Sequence, residues 1–193
     1  AADTAERRFR LYALQADVYA RRSMGAEAAE SAQLALNIAQ AWPPEQQAAE
    51  RLFLRINQPK WLQDEDDAQA LTKLQPLLAE FPLAQLNGLA LYKEAESTSP
   101  SALMVLALHQ QYGYLLHELE RHPEALSANL QTLAAARKRL PSDEQHRLQV
   151  VLTNIAQNHH ALGQLNEAEP YLLERLKLVQ AQDDDERVLD TYF

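Results

Sequence analysis

Histidines are the residues of this sequence best suited to chemistry, because an imidazole can bind a metal ion or transfer a proton near neutral pH. The six histidines fall in two groups: His109, His117 and His122, then His146, His159 and His160. Neither group has the HExxH spacing that places two ligands and a base on one helical face. Zinc needs three or four convergent ligands at fixed distances. We therefore expect no metal site.

Two runs of acidic residues, 64–67 and 183–186, have side chains of the type that binds calcium. An EF-hand loop, however, places its ligands at alternate positions around a central glycine, and neither run contains a glycine. Acidic residues are stabilised near a helix N-terminus by the helix dipole. We interpret both runs as solvated helix starts.

Motifs typical of enzymes are missing from the sequence. It has no glycine-rich phosphate loop and no nucleophile elbow, and the absence of cysteine excludes disulfides and thiolate metal sites. The sequence thus predicts a non-catalytic protein that needs no cofactor. Because cytosolic and periplasmic proteins can both lack cysteine, the compartment stays open between the two.

Composition predicts an all-α protein. The 193 residues are 47% hydrophobic and 23% charged, with only four glycines, and they are rich in Ala, Leu, Gln and Glu, which form helices readily. A net charge of −9 argues against a nucleic-acid partner, which requires clustered Lys and Arg. No apolar run approaches the roughly 20 residues that span a bilayer, and residues 1–10 lack the apolar core of a signal peptide.

Residues 148–182 have a spacing that predicts one helical hairpin. Two helices pack closely only where the facing residues are small, and Ala156 and Ala168 provide such positions. Gly163 stands between them, where a tight turn favours a residue that adopts positive φ. The bulky residues expected to fill the crossing are Leu152, Ile155 and Leu172.

This order of bulky and small residues resembles the tetratricopeptide repeat. His159 stands at the family's aromatic position, so we expect it, like His109, to be a hydrogen-bonded core residue. Asn166 is expected to cap the second helix. The resemblance implies a right-handed α-α superhelix that binds extended or helical peptides along its concave surface. The paired Lys and Asn with which chaperone-binding members clamp a terminal carboxylate are missing.

The pattern returns along the chain and predicts a single solenoid over residues 1–193 with four repeats, at residues 4–41, 45–81, 101–140 and 143–182. Taken between Ala28, Ala68, Ala125 and Ala168, the spacing is about 40 residues except for one longer interval. We attribute the extra residues to an inserted helix at 83–96. Spacings near 40 also overlap those of HEAT and armadillo repeats, but longer tetratricopeptide helices are our preferred explanation.

Prolines and polar runs predict where the helices end. Pro59 and Trp61 are expected to break the third helix, whereas Pro76 is expected either to kink or to split the fourth. Residues 184–193 are expected to begin a further helix. Its apolar end predicts that the native protein continues, since terminal repeats normally carry a polar cap.

The resemblance also assigns a groove-facing side to the first helix of each repeat. The residues that would line it, and so contact a protein or peptide partner, are Arg10, Asp17, Arg21, Gln110, Tyr114, His117, Thr153, Gln157 and His160. We expect a polar, hydrogen-bonding wall. Because His117 and His160 are equivalent, a carboxylate-bearing partner is expected to bind more tightly as pH falls below neutrality.

The leading hypothesis is a non-catalytic scaffold for protein-protein interaction, forming the partner-binding or sensory region of a larger bacterial signalling or regulatory protein. The alternative is a receptor domain for a small molecule or signal peptide, in which the inserted helix at 83–96 closes the groove. Further domains of the same polypeptide are expected in the first case.

Overall fold

The computed structural model describes residues 2–63, 65–92 and 100–190, with side chains described from residue 4 to residue 181. Within these ranges all regular structure is helical, which confirms the all-α prediction. The α-helices are α1 (Ala2–Arg21), α2 (Gly25–Ala39), α3 (Ala48–Leu62), α4 (Asp67–Glu80), α5 (Ala102–Glu118), α6 (His122–Arg139), α7 (Leu148–Ala161) and α8 (Leu165–Asp190). Two 3-10 turns, Leu83–Gly88 and Ser142–Arg147, lie between them.

The backbone divides into two compact units. Unit 1 comprises Ala1–Pro82 and Gly88–Leu108, and unit 2 comprises Leu83–Asn87 and His109–Phe193. Consecutive helices pack as hairpins within each unit: α1 on α2, α2 on α3 and α3 on α4 in unit 1, and α6 on α7 and α7 on α8 in unit 2. The single solenoid over 1–193 stays a prediction.

The core of unit 1 depends on small residues at helical spacing. Ala32, Ala35 and Ala39 form a buried stripe along α2, and Phe9 of α1 packs into the same cluster. The Phe9 ring lies 5.1 Å from the Trp42 ring, measured between centroids. Because an alanine stripe lets two helix backbones approach closely, the larger residues around it can fill the interface without voids.

Three of the hairpin turns share one backbone conformation. Ser23, Glu120 and Gly163 have φ of 58°, 58° and 73°, and each precedes the next helix by two residues. In the last turn, the N–H of Gln164 donates to His159 O at 2.8 Å and the N–H of Gly163 to His160 O at 2.9 Å. The other two turns have the same pair of hydrogen bonds. This is the Schellman motif, so the positive φ predicted for Gly163 is confirmed.

The turns define the repeat register and correct one predicted equivalence. Ala28, Ala125 and Ala168 are each the fourth residue of their helix, and in α4 that position is Ala70. Ala70 is fully buried, whereas Ala68, the residue predicted to be equivalent, is exposed. Asp66, within the acidic run, sets the start of α4. It caps the helix by accepting a hydrogen bond from the N–H of Gln69 at 2.9 Å.

Gly113 provides the small crossing position of α5, as predicted. A Cβ added there would lie 2.2 Å from Oδ1 of Asn129, which is fully buried on α6. The turn register makes Gly113 equivalent to Ala16 and Ala156, both of which are buried. Gly113 therefore leaves room for the side-chain amide of Asn129, which a Cβ at this position would displace.

The predicted break at Pro59 and Trp61 is wrong, because α3 continues through both residues to Leu62. Pro59 is buried, and its carbonyl accepts the N–H of Gln63 at 3.1 Å, which closes the last turn. Pro76 lies inside a continuous α4, which excludes the split. A proline removes only its own donor, and burial of neighbouring apolar side chains offsets that loss.

Three predictions near the chain's irregular parts also need correction. The predicted inserted helix at 83–96 is instead a short 3-10 turn ending at Gly88, and residues 93–99 lie outside the described range. Helix α8 passes through 183–190 without a new start, because no glycine or proline interrupts residues 171–190. Residues 191–193 lie outside the described range. Asn166 is the second residue of α8, so it is not the cap.

Substitution of Gly163 by alanine is expected to lower the free energy of unfolding by about 1 kcal/mol. No atom lies within 4 Å of a Cβ added at Gly163, so only the positive φ disfavours the side chain. Gly163→Asn should cost less, since asparagine tolerates this conformation. Urea unfolding followed by circular dichroism measures both variants. Equal stability of Gly163→Ala and the wild type would contradict the proposed role of the turn.

Candidate interaction groove

A cavity of about 530 Å³ lies in unit 2, between the end of α5, the start of α6, and helices α7 and α8. We call it the histidine groove, because three of the histidines line it. Its lining residues are His117, His122, Thr153, Ala156, Gln157, His160, Ala161, Leu165, Ala168, Glu169 and Leu172.

The floor of the groove is the crossing of α7 and α8. Ala156 and Ala168 are only 4% and 5% exposed, which agrees with their predicted place at this crossing. Leu165 and Leu172 also line the groove but are 62% and 49% exposed. Leu172 therefore does not fill the crossing as predicted, because the crossing is already closed by alanines. The floor presents apolar side chains to solvent.

His117 is held by a buried amide. Its Nδ1 lies 3.0 Å from Oδ1 of Asn158, and Asn158 is fully buried. The other end of that amide is fixed, since Asn158 Nδ2 donates to Asn154 O at 2.7 Å. The amide orientation makes Nδ1 of His117 the donor. Nε2 of His117 is then the nitrogen that remains to accept from a ligand or, when protonated, to donate to it.

His122 lines the groove beside His117 and carries a buried polar atom. Its ring lies 4.9 Å from the His117 ring, between centroids, and its Nδ1 is buried without a hydrogen-bond partner among the described residues. A buried polar atom without a partner costs about 1–3 kcal/mol.

The groove lining contains one carboxylate, that of Glu169. Beside the groove, Arg121 binds Glu124 through hydrogen bonds of 2.8 and 2.6 Å. The hydrogen bond from Arg121 lowers the pKa of the Glu124 carboxyl, so this pair stays ionised and neutralises itself. The three imidazoles and Glu169 are thus the titratable side chains that a ligand in the groove would meet.

Four of the residues predicted to face a partner line this groove together: His117, Thr153, Gln157 and His160. Gln110 and Tyr114 are half-buried and do not line it. The expected polar wall is instead a polar rim around an apolar floor. Positions 165, 168 and 172 share one face of α8 by their spacing, but exposed leucines also occur at 173 and 176, so spacing alone did not identify this floor.

The three groove residues predicted in unit 1 pair with one another or with a neighbour on α1. Arg10 binds Glu6 at 2.7 Å, and Arg21 binds Asp17 at 2.9 Å. The turn register places alanines, Ala13 and Ala20, at the positions equivalent to Thr153 and His160. Asp17 stands at the position equivalent to Gln157, as predicted. Arg10 and Arg21 do not stand at the positions equivalent to Thr153 and His160.

His159 is a core residue, as predicted. It is 8% exposed, its Nδ1 lies 2.8 Å from Oε1 of Gln164, and its ring stacks on Tyr171 with centroids 5.6 Å apart. Trp61 packs edge-on against Phe53 at 6.3 Å, inside α3 instead of at a break.

Two further properties of the described residues concern other kinds of site. They contain no group of three or more His, Asp or Glu side chains positioned to hold a metal ion. None of their helices is both long enough and apolar enough to cross a membrane.

Comparison with known proteins gives a structural similarity alone. No family model matches the chain, and no curated protein matches it. A crystal structure of BtubC (BKLC) from P. vanneervenii is similar to it, with a TM-score of 0.69 and 20% sequence identity. The similar region covers 91% of this chain and 64% of the length of BtubC. At this identity the similarity supports the helical-hairpin fold and carries no functional assignment.

Proposed function

We propose that this chain is a non-catalytic scaffold of the tetratricopeptide type, whose histidine groove holds a segment of a partner protein. The observation that carries the proposal is the groove itself, where exposed Leu165 and Leu172 flank buried alanines beneath a rim of three histidines. Monomeric proteins rarely expose large contiguous apolar patches, and an exposed apolar patch with a polar rim marks an interaction site.

The side chains that line the groove indicate which residue types a partner segment would carry. Apolar side chains of the leucine type match the floor, and an acidic side chain matches a rim that has three imidazoles against one carboxylate. The proposed occupant is thus a short amphipathic segment that carries leucine-like and acidic residues.

The resemblance to the tetratricopeptide family supports the remaining features of the proposal. These are a right-handed superhelix and a place as the partner-binding or sensory region of a larger bacterial signalling protein with further domains. The receptor alternative depended on an inserted helix that closes the groove. Residues 83–88 form a 3-10 turn and residues 83–92 do not line the groove, while residues 93–99 lie outside the described range. The receptor domain therefore stays the second hypothesis.

Peptides selected from a random display library on the immobilised chain provide the probe that tests the proposal. When a selected peptide is titrated into labelled protein, we expect amide shifts to move first at Ala156, Ala161 and Ala168, which line the groove. The selected sequences should be enriched in leucine together with Asp or Glu.

The amides of Ala29, Ala32 and Ala35 on α2 serve as the internal control, since these residues are buried in unit 1. Shifts confined to unit 1, or selected sequences that lack both leucine and acidic residues, would reject the groove as the partner site.

A further inference from the structure

A second cavity, in unit 1, differs from the histidine groove in its chemistry. It has a volume of about 330 Å³ and lies between α2, α3 and α4. Its lining residues are Gln33, Leu36, Gln40, Arg51, Arg55, Gln58, Thr72, Lys73, Pro76 and Leu77. Three of these side chains are cationic and none is a carboxylate. We call this cavity the cationic pocket.

Two glutamine side chains hold the ammonium group of Lys73 in the pocket. The Nζ of Lys73 donates to Oε1 of Gln33 at 2.5 Å, and the same oxygen accepts from Nε2 of Gln58 at 3.2 Å. Gln58 is buried and also donates to Ala29 O at 3.1 Å. Three helices thus contribute one residue each to a fixed polar node. Two of the three N–H groups of Lys73 remain available.

Two cations of the pocket have no carboxylate partner among the described residues. Arg55 is neutralised by an ion pair with Glu80. Arg51 donates to a backbone oxygen, Pro43 O, at 3.0 Å, and Lys73 donates to an amide oxygen. Neither Arg51 nor Lys73 forms an ion pair with a carboxylate among the described residues. The pocket therefore keeps two uncompensated positive charges in a chain whose net charge is −9.

The neighbouring cavity shares both arginines with the cationic pocket but differs from it in containing carboxylates. Arg51 and Arg55 also line that cavity, which contains the carboxylates of Glu45 and Glu80. Carboxylates thus line that cavity and are missing from the described lining of the cationic pocket. A concave site with uncompensated charge of one sign concentrates ligands of the opposite sign.

The geometry points to the cationic pocket as a binding site for a small oxyanion with two negative charges, such as a phosphate monoester or a dicarboxylate. Lys73 and Arg51 supply two charges that match the dianion, and the guanidinium supplies paired N–H donors that suit phosphate and carboxylate oxygens. The volume lies at the lower end of the range for small-molecule sites, about 300–1,000 Å³. This site goes beyond the proposed peptide groove and does not depend on it.

Isothermal titration with inorganic phosphate and with succinate, at a fixed ionic strength set by sodium chloride, tests the site. We expect saturable binding of at least one of the two, and the comparison between them identifies the preferred oxyanion. Lys73→Gln and Arg51→Gln should each weaken that binding by at least about tenfold, because each removes a charge-assisted contact. Lys60→Gln, which removes an exposed cation of α3 outside the pocket, should change it less than about twofold.

Arg51→Gln leaves the contacts among Gln33, Gln58 and Lys73 in place, so it tests the pocket even where Lys73→Gln impairs folding. Leu172→Asp, in the histidine groove, should bind the anion as the wild type does, which separates this inference from the proposed function. No saturable binding of either anion at millimolar concentration would overturn the assignment. Equal affinities of Arg51→Gln and Lys60→Gln would overturn it as well.

Discussion

Gly25→Ala is expected to lower the free energy of unfolding by about 3 kcal/mol, the upper end of the usual cost of overpacking. A Cβ at this position would lie 2.2 Å from the carbonyl oxygen of Trp61 and 3.3 Å from its carbonyl carbon. Both are backbone atoms, which cannot rotate away as a side chain can. The added methyl group therefore requires α2 and α3 to separate.

Gly88→Ala is the matched control, because it lies in the same unit and a Cβ there meets no atom within 4 Å. Its stability should stay within about 0.5 kcal/mol of the wild type, as for most surface substitutions. Urea unfolding measured by circular dichroism and by tryptophan fluorescence compares the two variants. If the two midpoints coincide, the close approach of α2 to Trp61 is wrong.

The hairpins were predictable from the sequence because small residues and turn residues constrain contacts between positions that are close along the chain. The alanines at 28, 125 and 168 and the glycines at 113 and 163 each constrain a contact within one hairpin, and helical spacing reveals them. Ala68 and Ala70 show where helical spacing alone does not fix the repeat register. Both stand in the sequence at plausible positions, and only the Asp66 cap, by setting the helix start, decides between them.

The Gly25 contact was not predictable, since it joins segments separated by more than 30 residues and involves a backbone oxygen. The same applies to the polar node of the cationic pocket, where Gln33 and Lys73 are 40 residues apart. Side-chain polarity suggests that such residues are solvated. Their convergence depends on how α2, α3 and α4 pack, and helical spacing within one segment does not specify that.

The histidine groove was predictable in its rim and not in its floor. His117, Thr153, Gln157 and His160 recur at repeat intervals, so the resemblance brought them to one side. The floor depends on the rotation of α8 about its axis. Leucines occur on several sides of that helix, at 165, 172, 173 and 176, and all four are exposed. Periodicity therefore does not indicate which leucine faces the groove.

Leu172→Asp is expected to weaken binding of the selected peptides by at least about 30-fold, which corresponds to about 2 kcal/mol and to the threshold for a hot spot. The leucine side chain provides apolar area at the floor of the groove, and aspartate replaces it with a charge that repels an acidic segment. Because Leu172 is 49% exposed in the free protein, the substitution should change the melting temperature little.

Leu130→Asp is the matched control, since Leu130 is 37% exposed on α6 of the same unit and does not line the groove. Its affinity should stay within about twofold of the wild type, as expected away from a hot spot. His160→Gln in turn should weaken the binding of an acidic segment, because it removes one of the three imidazoles that line the groove. Fluorescence anisotropy of a labelled peptide measures all three variants. Equal losses for Leu172→Asp and Leu130→Asp would mean that the peptides bind elsewhere on unit 2, and the floor of the groove would then lose its proposed role.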